Sequence, residues 1–245
     1  MNPPLRAMIL AAGRGERMRP LTDDCPKPLL QVRGKALIDW HVEALARGGV
    51  SELVVNTAWL GEMISSHLDL LRSASGHGQL SFSYSHEGDD FGYALETAGG
   101  IARALPLLGD AFWLLAADVF VPGFEFSAEA ADRFMAGGML AHLWLVPNPP
   151  HNPGGDFGLG SSGLALNLPA GDPAPRHTYS TIGLYRRELF DSLPFGNSQG
   201  LAVALAPLLR AAMDRRQVSA ELYTGPWTDV GTPERLAELN QSFPN

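Results

Sequence analysis

Two isolated carboxylates and one cationic, glycine-rich loop are the parts of this chain best suited to chemistry. The loop lies between Met8 and Leu29. An apolar run ending in Ala11-Ala12 breaks into Gly13-Arg14-Gly15, passes Arg17 and Arg19, and closes on Pro26-Lys27-Pro28-Leu29. A strand followed by glycines and then cations is one way to bring backbone N–H groups against phosphate oxygens. Gly13 and Gly15 permit close backbone approach to a ligand. Arg14, Arg17, Arg19 and Lys27 offer charge-assisted bonds to an anion, and the two prolines stiffen the chain around Lys27. The alternative for the same stretch is a surface turn with solvated arginines. Two common phosphate motifs do not fit. No Gly-Lys-Ser/Thr is present, and Met18 stands where the third glycine of G-x-G-x-x-G belongs.

Asp118 follows Phe112-Trp113-Leu114-Leu115-Ala116-Ala117, at the carboxyl end of an apolar strand. Ligands of open α/β sheets bind beyond such ends. A carboxylate there suits Mg²⁺, which keeps several waters and bridges to phosphates; alternatively it starts a turn before Pro122-Gly123. Asp229 lies in Trp227-Thr228-Asp229-Val230-Gly231-Thr232-Pro233, close to a helix start where the macrodipole alone favours an acid. With the loop, the two carboxylates make up the parts needed for metal-assisted nucleotidyl transfer. Glu96-Thr97-Ala98-Gly99-Gly100 reads as a helix start whose paired glycines admit a planar base close to the backbone. The seven histidines show no H-E-x-x-H spacing, no G-x-S-x-G occurs, and Cys25 has no obvious basic partner in sequence. Zincin, α/β-hydrolase and catalytic-thiol chemistry are therefore not supported.

The elements that must position these residues follow from hydrophobic period. Arg6 to Leu10 reads as a buried strand; Leu37, Ile38, Val42 and Leu45 recur at helical spacing until Gly48-Gly49. Leu53 to Val55 is a second strand, and Met63, Ile64, Leu68 and Leu71 mark a second helix. A loop over Ser73 to Gly78 leads into an alternating strand, Leu80 to Tyr84. Thr97 to Leu105 is a helix and Phe112 to Ala116 a buried strand. This alternation predicts an α/β fold: a Rossmann-like, doubly wound, mostly parallel (mixed) sheet with a small antiparallel, substrate-facing insertion. Beyond Leu143 to Val146 the texture changes. Pro147 to Gly163 is loop-rich, and Leu164 to Leu168 and Tyr179 to Tyr185 read as short antiparallel strands forming a lid or wall. Leu201 to Met213 is a helix, Leu222-Tyr223 a strand, and Pro233 to Leu239 a helix capped by Thr232. No clean boundary appears, so residues 1–245 read as one domain with two parts, over 1–138 and 139–245.

Of the 245 residues, 45% are hydrophobic, enough for a sizeable core, and the net charge is −8. That balance argues against a nucleic-acid surface, which needs a basic face. Only two lysines occur, Lys27 and Lys35. One cysteine excludes a disulfide framework. The apolar run before Gly13 is too short for an export signal, and no stretch is long enough to span a membrane, so a soluble cytoplasmic protein without nucleic-acid or membrane partners is expected. No feature sets an oligomeric state, and a monomer is compatible with the sequence.

The stretch Leu10 to Thr22, closing on Pro26-Lys27-Pro28-Leu29, resembles the signature of the sugar-1-phosphate nucleotidyltransferases. Ala117-Asp118-Val119 is similar to that family's first metal motif, Trp227 to Thr232 to its second, and Leu95 to Gly100 to its base-binding segment. The resemblance implies in-line attack of a sugar-1-phosphate oxygen on the α-phosphorus of a nucleoside triphosphate, with pyrophosphate leaving. It implies that the part over 1–138 binds nucleotide and that the part over 139–245 binds sugar and completes the metal site. It places Ala11, Ala12, Gly13, Gly15, Glu96, Thr97, Gly99 and Ala116 at the nucleotide. Arg14 and Arg17 would hold the β- and γ-phosphates, Lys27 the α-phosphate, and Asp118 and Asp229 would ligate Mg²⁺. Within the family the chain looks like the bacterial N-acetylmuramate-1-phosphate uridylyltransferases of cell-wall recycling, which use UTP. Asn148 and Gly155-Asp156-Phe157 match the sugar-side loop of that group, so Asn148 and Asp156 are the expected sugar contacts. Mannose-1-phosphate guanylyltransferase and glucose-1-phosphate uridylyltransferase are the neighbouring alternatives, and a non-catalytic nucleotide-sugar sensor is the alternative of another class. The length leaves no room for a C-terminal β-helix. Three departures stand out: Ala117 replaces the usual glycine before the metal aspartate, Ser180-Thr181-Ile182 replaces Ser-Gly-Ile, and the sugar-phosphate lysine of the thymidylyltransferases has no equivalent.

Overall fold

A computed structural model describes residues 5–74 and 80–241. Thirteen strands are named in chain order. They are β1 (Arg6–Leu10), β2 (Gln31–Val32), β3 (Lys35–Ala36), β4 (Glu52–Thr57), β5 (Ser81–His86), β6 (Ala111–Ala116), β7 (Val119–Phe120), β8 (Ala141–Val146), β9 (Phe157–Leu159), β10 (Ala165–Leu166), β11 (Arg176–Arg186), β12 (Val218–Leu222) and β13 (Thr228–Asp229). The α-helices are α1 (Leu37–Arg47), α2 (Gly61–Ala74), α3 (Glu87–Phe91), α4 (Glu96–Ala104), α5 (Ala128–Ala136), α6 (Leu205–Asp214) and α7 (Pro233–Gln241).

Nine strands form one mixed sheet. Strands β6, β1, β4 and β5 are parallel neighbours, and β11 closes against β6 in the antiparallel sense. The continuous apolar runs of the central strands are explained by cover on both faces. Ala7 and Ile9, Leu53 and Val55, and Trp113 and Leu115 point into one core with Ile38, Val42 and Ile64 of α1 and α2. Their alternates Met8, Val54, Phe112 and Leu114 point into a second core with Ile101 of α4 and Leu205 and Leu209 of α6. The strictly alternating segment is β5, the edge strand, paired only with β4. There one face suffices, and the period of two survives.

Strand β11 decides where a cavity can form. Its second half pairs with β6 from Ile182 to Arg186, whereas Arg176 and His177 pair with β9. Between these two segments the register of β11 against β8, on its other edge, shifts from Tyr179 to Gly183, and Thr181 takes a φ of 66°. The sheet is thus split open beyond the end of β6. A third, smaller core of Met18, Val32, Leu37, Phe120, Val230 and Leu236 ties the opening loop to the β7–β13 ribbon and to α7.

Several sequence expectations need correction. The helix placed at Leu201 begins at Leu205, because the Val203 carbonyl is engaged by the Ala98 and Gly99 N–H groups at 2.8 and 3.0 Å. The strand placed at Leu222-Tyr223 starts at Val218 and pairs with β8 in parallel. Tyr179 to Tyr185 belongs to a strand of 11 residues inside the main sheet rather than to a short lid. Helix α2 runs through Ser73 to Ala74, and the rest of the expected Ser73–Gly78 loop lies outside the described residues.

Candidate functional site

Two cavities open at the carboxyl ends of the parallel strands and share a wall. The first, about 340 Å³, is bounded by the loop after β1, by Asn56 at the end of β4, by Glu87, by the start of α4, and by Ala116 to Asp118 after β6. The expected nucleotide residues Ala11, Ala12, Gly13, Glu96, Thr97 and Ala116 all line it. Beneath it runs a buried polar network. The Ala11 N–H donates to Asn56 Oδ1 at 2.9 Å, Asn56 Nδ2 donates to Glu87 Oε1 at 2.7 Å, and the Leu95 N–H donates to Glu87 Oε2 at 2.7 Å. One carboxylate thereby fixes the two backbone arms of the cavity. Burial pushes the Glu87 carboxyl up, opposed by these hydrogen bonds and by Arg103.

The glycines divide by role. A Cβ on Gly13 would meet no atom within 4 Å, so this position is open to a ligand. The pair Gly99-Gly100, expected to admit a base, instead admits protein. A Cβ on Gly99 would come within 2.2 Å of the Leu201 carbonyl oxygen, and one on Gly100 within 2.5 Å of Glu87 Oε1. Gly15 has a φ of 68° and turns the loop into a short 3-10 helix, Glu16–Met18, with its carbonyl accepting from the Thr22 hydroxyl at 2.9 Å.

Lys27 is 9% exposed, in a second 3-10 turn opened by Pro26. Its Nζ donates to Asp118 Oδ2 at 2.7 Å, joining the loop to the strand end 91 residues away. Arg14 is already engaged. It donates to the Thr22 carbonyl at 2.7 Å and to Asp23 at 2.8 Å, and its guanidinium lies 3.8 Å over Trp59. Arg17 is exposed. In this conformation Arg14 braces the loop, and Arg17 is the more accessible arginine.

Asp118 and Asp229 are brought together by the β7–β13 ribbon. Asp229 pairs with Val119, and the Val230 N–H donates to the Asp118 carbonyl at 2.9 Å. Asp229 Oδ2 accepts from Arg235 Nη1 at 2.9 Å and lies 3.3 Å from His151 Nε2. Its Oδ1 is buried without a hydrogen-bond partner. A buried carboxylate oxygen left unmatched is costly unless something positive meets it. The ribbon sets Asp118 and Asp229 on neighbouring backbone segments, Asp118 lining both cavities and Asp229 lining neither. Carboxylates so placed suit a hard cation such as Mg²⁺, which takes one or two protein carboxylates and keeps phosphate and water in its shell. No group of three or more His, Cys, Asp or Glu with metal-site geometry occurs among the described residues, so an all-protein cage is not built here.

The second cavity, about 480 Å³, occupies the split in the sheet and shares Leu10, Thr97, Ala116 and Asp118 with the first. Its remaining walls include Asp156, Phe157, Tyr179, Thr181, Leu205 and Arg210. Asp156, an expected sugar contact, accepts from the Tyr179 N–H at 2.8 Å and from Asn152 at 3.3 Å. Asn148, the other, lines neither cavity. Its amide accepts from Thr178 Oγ1 at 3.0 Å and donates to the Arg176 and Pro153 carbonyls, holding the loop before Asp156 in shape. Tyr179 and Tyr185 share a hydrogen bond of 2.6 Å, and burial raises both phenols, keeping them neutral.

Asn56, Glu87, Tyr179, Thr181 and Arg210 line these cavities without having been singled out as ligand contacts from the sequence. The first two carried a usable signal. Asn56 ends an apolar strand run, and Glu87 directly follows β5, the same carboxyl-end placement that marked Asp118.

A model of the nucleotidyl transferase family matches residues 6–245. The chain is 46% identical, over 96% of both chains, to an N-acetylmuramate alpha-1-phosphate uridylyltransferase of Neisseria meningitidis serogroup B. A protein of the same name from Caulobacter vibrioides is 32% identical over 96% of this chain and 98% of its own. In fold, apo UDP-glucose pyrophosphorylase superimposes with a TM-score of 0.73 at 16% identity, covering 98% of both chains. A Bacillus anthracis structure assigned to the glucose-1-phosphate thymidylyltransferases gives 0.71 at 20% identity, covering 96% of this chain and 93% of that one. These matches extend over the loop, both carboxylates and both cavities, and the chain belongs to the nucleotidyl transferase family.

Proposed function

We propose that this protein is a Mg²⁺-dependent uridylyltransferase that joins UTP to N-acetylmuramic acid 1-phosphate, giving the UDP-sugar and pyrophosphate in cell-wall recycling. The observation that carries the reading is the shared wall. A nucleotide-sized cavity and a second, mixed-polarity cavity meet at Asp118, which is held by Lys27 and whose backbone is hydrogen-bonded to the residue after Asp229. The similarity to the Neisseria uridylyltransferase supports the choice of base and sugar. A substrate pair of this kind is consistent with a cytoplasmic location.

In the reaction, a phosphate oxygen of the sugar 1-phosphate attacks the α-phosphorus of the triphosphate. The bond from that phosphorus to the β-bridging oxygen breaks, and its electrons leave with pyrophosphate. The attacking group is already anionic near neutral pH, so no side chain has to remove a proton; catalysis is positioning and charge neutralisation. Backbone at Ala11 to Gly13 receives the nucleoside, with Asn56 and Glu87 holding that backbone in place. Lys27, largely shielded from water, supplies a positive charge for the α-phosphate beside Asp118. Arg17 is free to close on the outer phosphates. Asp118 and Asp229 would hold Mg²⁺, which when bound supplies further neutralisation of the triphosphate charge.

Pyrophosphate release over a grid of nucleoside triphosphates and sugar 1-phosphates, with and without Mg²⁺, tests the proposal. Turnover concentrated on UTP with N-acetylmuramic acid 1-phosphate and dependent on Mg²⁺ is expected. Turnover confined to GTP with mannose 1-phosphate, or none with any pair, would overturn it.

A further inference from the structure

Among the described residues, Arg210 is the only basic one lining the second cavity. Helix α6 presents it from the same side as Leu205, Ala206 and Leu209, which line the cavity too. Its guanidinium lies 5.2 Å over the Phe157 ring, and Nη1 donates to the neutral amide oxygen of Asn167 at 2.9 Å. It forms no ion pair among the described residues. The Asp214 carboxylate, one helical turn along, is met instead by the Asn167 amide nitrogen at 3.0 Å.

The two acids of this cavity are both committed elsewhere. Asp118 is paired with Lys27, and Asp156 accepts from the Tyr179 N–H and the Asn152 amide. A half-buried guanidinium stacked on an aromatic ring is weakly hydrated and has a planar fork of donors that matches a carboxylate. Arg210 is absent from the nucleotide cavity, so its charge serves the sugar side and not the triphosphate.

We propose that Arg210 is a specificity-determining residue that binds a carboxylate carried on the sugar ring, selecting acidic over neutral sugar 1-phosphates. This rests on the reading of the second cavity as the sugar site. N-acetylmuramic acid carries one such carboxylate, on its lactyl ether. N-acetylglucosamine presents the same ring with a hydroxyl in place of that ether.

The test compares kcat/KM for N-acetylmuramic acid 1-phosphate and N-acetylglucosamine 1-phosphate in the wild type, Arg210→Gln and Arg210→Lys. The wild type favours the acidic sugar. In Arg210→Gln the preference falls by about tenfold or more, as expected for losing a hydrogen-bonded charge pair. The loss appears in the KM of the acidic sugar and not in that of UTP, which also shows that the variant is folded. Arg210→Lys restores part of the preference. A wild type that prefers the acidic sugar, with Arg210→Gln keeping the same ratio, overturns the role of Arg210 alone. A wild type that ignores the acidic sugar overturns both this role and the substrate assignment beneath it.

Discussion

The two cavities are built by opposite means. The nucleotide side is assembled from backbone and locked from below. Ala11 and Leu95 are tied through Asn56 to one fully buried carboxylate, Glu87, and the loop is braced by Arg14 on Trp59 and Lys27 on Asp118. The sugar side is a gap where β11 changes partner from β6 to β9, walled by side chains from separate elements. Each side contains one non-glycine residue in the left-handed region, Glu96 at a φ of 59° and Thr181 at 66°. Residues held in that region cluster at functional sites, where surrounding structure must impose them. The lesson is a division of labour. On the proposed function, a triphosphate, common to many reactions, would be met by a fixed backbone cradle, and the sugar by side chains drawn from several elements.

The shared boundary should be the most sensitive point. Asp229→Asn removes the carboxylate charge but keeps an oxygen for Arg235. Turnover should fall by about 10³-fold, the scale for losing a group that stabilises transition-state charge, while the melting temperature changes little. Near-normal activity in this variant would show that Asp229 takes no part in the reaction.

A change in the cradle should register as stability and nucleotide binding together. In Glu87→Gln one amide N–H₂ must face either Asn56 Nδ2 or the Leu95 N–H, both donors. Asn56 cannot flip to help, because its Oδ1 serves Ala11. The expected cost is about 1–3 kcal/mol, with a higher KM for UTP. The pH dependence has a definite sign. Burial raises the Glu87 carboxyl in the folded state, so the folded protein keeps that proton longer than the unfolded chain does. The contribution of Glu87 to stability is therefore greatest at acid pH and declines as pH rises from the ordinary carboxyl range through the raised value. Denaturant unfolding across that range should show the decline in the wild type and not in Glu87→Gln; equal slopes would argue against a perturbed Glu87.

The smallest effect is expected at Thr181 on the sugar side. A β-branched residue at this φ is strained, and its Oγ1 is buried without a partner. Thr181→Gly should stabilise the fold by about 1 kcal/mol, strain relief exceeding the entropic cost of glycine. Denaturant unfolding measures it, and destabilisation would mean that packing of the threonine methyl outweighs the strain.

The same division explains what the sequence made legible. The loop from Leu10 to Leu29 is contiguous, so its order alone suggested a phosphate cradle, and Asp118 stood out at the end of an unmistakable apolar strand. The pairing of Asp118 with Lys27, and its alignment with Asp229, depend on a two-residue ribbon that carries no sequence period. Arg210 was hidden for a further reason. The second cavity opens where one edge of β11 changes partner from β6 to β9, a tertiary event with no local signature. At Leu201 to Ala204 the apolar pattern continued the helical period, yet hydrogen bonds from Ala98 and Gly99 to Val203 hold the segment out of the helix. Tertiary pairing outweighed propensity there.

The central claim, that the two cavities hold both substrates at once and that the sugar phosphate itself displaces pyrophosphate, is tested most directly by isotope exchange. Labelled pyrophosphate is incubated with enzyme, Mg²⁺ and UTP, with and without N-acetylmuramic acid 1-phosphate, and label in UTP is measured. No exchange is expected until the sugar phosphate is added, because no uridylylated side chain forms. Exchange in its absence would reveal a covalent nucleotidyl-enzyme and contradict direct transfer across the Asp118 wall.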